Sequence, residues 1–143
     1  MKYNSIKRKG KYRSTFEWYV AENLKELGSK FLYEPKNRKI KYIRPETCHT
    51  YLPDFVLPNG IIIEVKGLFN STDRRKHLLI KEQCPMYDIR FVFSSSNSKL
   101  YKGSKGTYGD WCNKHGYLYA DKLVPKEWLN ENASNNTRST RSS

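Results

Sequence analysis

The chain has 143 residues, 37% of them hydrophobic, and 27 Lys and Arg against 14 Asp and Glu give it a net charge of +13. This length suits one domain with a modest core, and the apolar share excludes a wholly disordered chain. No apolar run approaches the roughly 18 residues of a membrane span, and the basic N-terminus leads into no apolar signal segment, so no membrane partner is expected. A surface this basic attracts polyanions, nucleic acid foremost. Cys48, Cys84 and Cys112 are odd in number, far apart and without a CxxC pair. They suggest neither a disulfide framework nor a zinc site, and fit a reducing, intracellular setting.

In chain order, residues 1–13 carry Lys2, Lys7, Arg8, Lys9, Lys11 and Arg13 with no acid, which reads as a flexible basic arm. Ser14 opens a helix on which Phe16, Val20, Leu24 and Leu27 share a face, and Gly28 stops it. Residues 31–35 and 38–45 read as strands. Residues 49–57 and 60–66 form a hairpin through Pro58-Asn59-Gly60. Thr72 is expected to cap a helix running to about Gln83, and residues 88–96 make a strongly apolar strand. Thr107 caps a short helix ended by Gly116, with Tyr108, Trp111, Cys112 and His115 on one face. The folded domain spans 14–130, and 131–143 is a polar tail expected to be disordered. The order of elements predicts an α/β fold, a mixed central β-sheet flanked by helices.

The stretch YLPDFVLPNGIIIEVKG places charges inside the most apolar segment. Strand alternation puts Ile61, Ile63 and Val65 on one face and Ile62, Glu64 and Lys66 on the other, and the hairpin returns Asp54 to the same end. Buried carboxylates need compensation. One solution is a divalent cation such as Mg2+, with the lysine holding or deprotonating a water beside it, and a phosphodiester as substrate. The other is a salt bridge between Lys66 and Glu64 or Asp54 that serves structure alone. Ser14 and Glu17 likewise read as an S-x-x-E capping box, worth ~1 kcal/mol to the helix.

Pro53-Asp54 followed by Glu64-Val65-Lys66 matches the PD-(D/E)xK nuclease signature. The surrounding text, PDFVLPNGIIIEVKGL, DRRKHLLIKEQ, IRFVFSSS, KLYKGS and YGDWCNKHG, resembles the bacteriophage endonuclease I family of junction-resolving enzymes, from about Arg13 to Leu129. The resemblance implies a restriction-endonuclease-like core and catalytic residues Glu17, Asp54, Glu64 and Lys66. It implies two Mg2+ or Mn2+ ions held by Asp54, Glu64, the Val65 carbonyl and Glu17, with Lys66 orienting the attacking water. It implies products with a 5′-phosphate and a 3′-hydroxyl, and no small-molecule cofactor. It also implies a strand-exchanged homodimer with shared active sites, for which residues 39–51 are the candidate bridge, acting on four-way DNA junctions in the cytoplasm of a phage-infected host. The tail departs from the family's lysine-rich pattern, having only Arg138 and Arg141.

Candidate DNA-binding residues are Lys7, Arg8, Lys9, Lys11, Arg13, Arg74, Arg75, Lys76, His77, Lys99, Tyr101, Lys102 and Lys105. Phosphate contacts of this kind position DNA without reading its bases. Two other readings stay open: a nuclease of this superfamily acting on linear duplex, and a non-catalytic branched-DNA-binding protein.

Overall fold

The computed structural model describes residues 10–44 and 47–131. Helix α1, Thr15–Glu26, starts where expected, because the Ser14 hydroxyl accepts from the Glu17 amide at 3.0 Å. Phe16, Val20 and Leu24 line its buried face. The next strand, β1, is only Leu32–Tyr33, and a 3-10 turn at Lys36–Arg38 precedes β2, Ile40–Arg44.

The expected 49–57 strand is instead two elements, β3 at Thr47–Tyr51 and β4 at Phe55–Val56. Residues 52–54 lie outside both strands, although the Asp54 carbonyl still accepts from the Glu34 amide at 2.9 Å. The turn through Gly60, φ +90°, closes with the Gly60 amide on the Leu57 carbonyl at 2.9 Å and leads into β5, Ile62–Lys66. Asn59 in that turn donates to the carbonyls of Trp128 and Glu131 at 2.8 and 2.9 Å, tying the hairpin to the end of the domain.

Helix α2, Ser71–Gln83, is capped by Asn70 rather than Thr72. Asn70 Oδ1 accepts from the Asp73 amide at 2.9 Å; of several neighbouring capping residues, only the one with extended backbone can reach the first turn. Strand β6, Ile89–Phe93, is wholly buried and shorter than expected. Helix α3, Tyr108–His115, carries the expected Thr107 cap and Gly116 stop, the latter at φ +75°. Strand β7, Tyr119–Asp121, and helix α4, Lys126–Asn130, were not anticipated.

The main sheet runs β1-β4-β5-β6-β7. Its first pairs are antiparallel, while β5, β6 and β7 are parallel, with α2 and α3 on the crossovers. This is the mixed α/β architecture with a central mixed sheet that the element order predicted. Strand alternation divides the core in two. Ile61, Ile63, Val65 and Val92 meet α1, while Ile62, Phe91 and Phe93 meet Phe69, Ile80, Tyr108 and Trp111. Phe69 is fully buried, its ring 4.9 Å from Phe91 and 5.0 Å from Trp111. Truncating such a ring to alanine costs about 3–5 kcal/mol.

Two residues at the expected domain boundaries pack into the fold. Tyr12, inside the expected basic arm, is 5% exposed and packs edge-on against Tyr33 at 4.5 Å; residues 1–9 of that arm lie outside the described residues. Glu131 belongs to the domain rather than the tail, because its carboxylate pairs with the buried Arg90 guanidinium at 2.7 Å. Strands β2 and β3 form a separate antiparallel pair, Ile40 opposite Tyr51. Within one chain the candidate bridge thus folds back on itself, and its connection at 45–46 lies outside the described residues.

Candidate active site

The site forms where β4 has ended and β5 continues. Phe55, the first residue of β4, lies opposite Ile63, so the Val65 amide beyond it has no strand partner on that edge. Asp54 Oδ2 accepts it at 2.9 Å. Asp54 is 4% exposed. Burial, then repulsion from Glu64 and Glu17, pushes its carboxyl well above the ordinary range, against the opposing pull of the Val65 amide and Lys66.

Glu17 reaches the same place from α1. The capping box is only half made: Ser14 caps the helix, but the Glu17 carboxylate turns away from the Ser14 amide and accepts from the Arg13 amide at 3.1 Å and from the Tyr33 hydroxyl. Carboxylate oxygens of Glu17, Glu34 and Asp54 lie within 4.8 Å of one another. Glu34 was missed by sequence reasoning, and nothing local signals it. It has a left-handed φ of +43°, donates its amide to the Asp54 carbonyl at 2.9 Å and pairs with the Arg13 guanidinium at 2.8 Å.

Glu64 and Lys66 share the opposite face of β5, as alternation required. Lys66 Nζ lies 3.4 Å from both Glu64 Oε2 and Asp73 Oδ1 on α2. Burial pulls the ammonium down, but Glu64, Asp73 and Asp54 together outweigh it and hold it above its ordinary value. Lys66 is therefore charged at neutral pH. Glu64 Oε1 accepts from the Tyr51 hydroxyl at 2.7 Å. Tyr51 and Tyr33 were not singled out from the sequence. Their signal would have been that a buried tyrosine must find a partner for its hydroxyl.

His77 is corrected to a core residue. It is fully buried, its ring 4.9 Å from Phe91 and 5.2 Å from Tyr51, so it presents no atom to a surface phosphate. Burial, then Lys66 and Lys76, lowers its pKa well below the usual value and keeps it neutral. Its Nε2 lies 4.0 Å from Glu64 Oε2.

The remaining basic candidates fall into groups. Lys7, Arg8 and Lys9 lie outside the described residues. Lys11 sits beside the acidic cluster, its Nζ 5.9 Å from the Tyr33 ring centre. Arg13 is largely exposed yet paired with Glu34. Arg75, Lys99, Tyr101, Lys102 and Lys105 are exposed. Lys76 lies over the Tyr51 ring at 4.9 Å. Arg74 commits one nitrogen to the Phe69 and Leu100 carbonyls at 2.6 and 3.3 Å, which is a structural staple.

Comparison with known proteins places the whole chain. The sequence model of phage endonuclease I matches residues 1–141. Endonuclease I of Escherichia phage T7 is 55% identical over 126 residues, covering 88% of this chain and 83% of the relative. Endodeoxyribonuclease 1 of Enterobacteria phage T3 is 58% identical over 120 residues, covering 84% of this chain and 78% of the relative. With matches of that extent, the chain belongs to the phage endonuclease I family.

Proposed function

We infer that this chain, an endonuclease by family, resolves four-way DNA junctions and other branched DNA by metal-dependent phosphodiester hydrolysis, leaving a 5′-phosphate and a 3′-hydroxyl. The observation that carries this reading is the meeting of Glu17 and Asp54 on one side of β5 with Glu64 and Lys66 on the other, around one strand end. Structural salt bridging alone leaves the Glu17–Glu34–Asp54 oxygens crowded and Asp54 strongly destabilised as an anion.

The carboxylate oxygens of Glu17, Glu34 and Asp54, within 4.8 Å of one another, fit a hard divalent cation. Asp54, Glu64, the Val65 carbonyl and Glu17 would hold Mg2+ or Mn2+, two ions per site, with Glu34 beside them. Such ions, when bound, polarise a phosphoryl oxygen and lower the pKa of water. The chain's own groups do the rest. Tyr51 and Tyr33 hold Glu64 and Glu17 in place by their hydroxyls. Lys66, kept protonated between Glu64 and Asp73, donates to the attacking water and orients it rather than removing its proton. The superfamily core and a strand-exchanged homodimer belong to the same reading. In it Glu17 of one chain faces Asp54 of the other after the β2–β3 connection opens, and two sites related by a two-fold axis match a substrate with two-fold character. Phage-encoded relatives support action in the host cytoplasm.

The test is incubation with an immobile four-way junction and a matched linear duplex, each with Mg2+ and with EDTA. Paired cuts in the junction alone, and only with Mg2+, are expected. Binding without cleavage would return Asp54, Glu64 and Lys66 to a structural role, and equal cutting of the duplex would remove the junction preference.

A further inference from the structure

A second surface begins two residues beyond the catalytic lysine. Leu68 is 68% exposed and lines an open groove of about 650 Å3 together with Arg74, Lys99, Leu100, Tyr101 and Lys102. An exposed leucine alone would mean little. Here it shares the groove with Tyr101, itself 67% exposed, and with two lysines, and no carboxylate lines it.

The groove is built rather than incidental. The Arg74 guanidinium bridges the Phe69 and Leu100 carbonyls at 2.6 and 3.3 Å, so the segment carrying Leu68 is stapled to the loop carrying Tyr101. That loop is closed by the Leu100 amide on the Gly106 carbonyl at 3.2 Å and the Ser104 amide on the Tyr101 carbonyl at 2.9 Å. Tyr101 thus sits in a braced loop with its ring in solvent.

Lysines alone would hold the backbone of any DNA equally. An aromatic and an aliphatic side chain add something only where a base face is open. Inside a linear duplex every base face is covered by its neighbour; at a branch point the stack is interrupted. We propose that Leu68 and Tyr101 form a branch-reading surface that packs on base faces uncovered at the point of strand exchange, while Lys99 and Lys102 hold the flanking phosphates. This rests on the reading that branched DNA is the substrate. It places selection for the branch beside Lys66, so that a junction seated in the groove presents its backbone to the active site.

The test measures binding of the full chain to a labelled immobile junction and to a linear duplex of the same sequence, in EDTA to prevent cleavage. Tyr101→Ala is expected to weaken junction binding about tenfold and leave duplex binding within about twofold. Tyr101→Phe should restore the junction affinity, and Leu68→Ala should fall in the same direction as Tyr101→Ala. Lys102→Ala should weaken both DNAs alike. A wild type that prefers the junction, with a Tyr101→Ala variant that keeps the whole preference or loses both DNAs equally, overturns this inference and leaves the proposed function standing. A wild type with no junction preference overturns the junction reading and this inference together.

Discussion

The Tyr51 hydroxyl donates to Glu64 Oε1 at 2.7 Å from a ring that is 1% exposed, and burial keeps that phenol protonated far above ordinary pH. One carboxylate oxygen of Glu64 is thereby fixed, and the other is left facing Lys66. Tyr51→Phe removes the donor and keeps the ring. With Glu64 as the metal ligand proposed above, cleavage is expected to fall about 10–100-fold with a raised metal requirement. DNA binding in EDTA should not change. A metal titration of the cleavage rate decides it, and a superimposable titration curve would remove Tyr51 from the site.

Lys66 bridges Glu64 and Asp73 at 3.4 Å each and stays charged. Lys66→Ala should retain junction binding within a fewfold and lose about 10²-fold or more in cleavage, the scale of a misplaced reacting group. Gel shift and cleavage on one protein preparation separate the two. Binding lost in a folded variant would mean that Lys66 serves DNA affinity instead.

Asp54 gives the metal-free protein a pH dependence. Its folded-state pKa is raised above the ordinary 3.8. Between those values the folded state therefore binds more protons than the unfolded one, and stability falls as pH rises through that window. Asp54→Asn keeps an oxygen for the Val65 amide and removes the charge. In EDTA it should melt about 3–6 °C above the wild type at neutral pH, with the gap closing towards pH 4. Thermal melts across that range check the sign. A wild type that gains stability on going from pH 4 to neutral, with no gain in Asp54→Asn, would contradict it.

Arg90 is 3% exposed, forked between Asp88 and Glu131 and lying over the Trp128 ring at 5.2 Å. Arg90 lowers the Glu131 pKa, so this contribution is present above the ordinary glutamate range and is lost on acidification through the folded value. Glu131→Ala should cost about 1–2 kcal/mol at neutral pH, read as a lower Tm with unchanged cleavage at low temperature. An unchanged Tm would place residue 131 outside the cooperative fold.

Much of this was legible in one dimension because its causes are local. Ser14 and Thr107 cap helices through bonds three residues away, Gly60 and Gly116 supply positive φ, and the alternation of IIIEVKG sorts Glu64 and Lys66 from Ile63 and Val65. The errors were also local in kind. Asn70, Ser71, Thr72 and Asp73 all can cap, and only the backbone chooses. The 49–57 run looks like one strand because its apolar residues do not record where pairing stops. The Lys11–Arg13 charges masked the buried Tyr12.

The sequence by itself therefore determined helices α1, α2 and α3, the strand that carries Glu64 and Lys66, and the family. Tertiary structure decided which groups actually meet. Glu34 joins Glu17 and Asp54, Tyr51 and Tyr33 hold two of the carboxylates, and His77 is withdrawn into the core. The physical reason is that electrostatic crowding and hydrogen bonding act through space over a few ångströms, between residues as far apart in the chain as Glu17 and Asp54, 37 positions. No periodicity along the chain encodes that distance; the pairing of β1, β4 and β5 and the packing of α1 against them do.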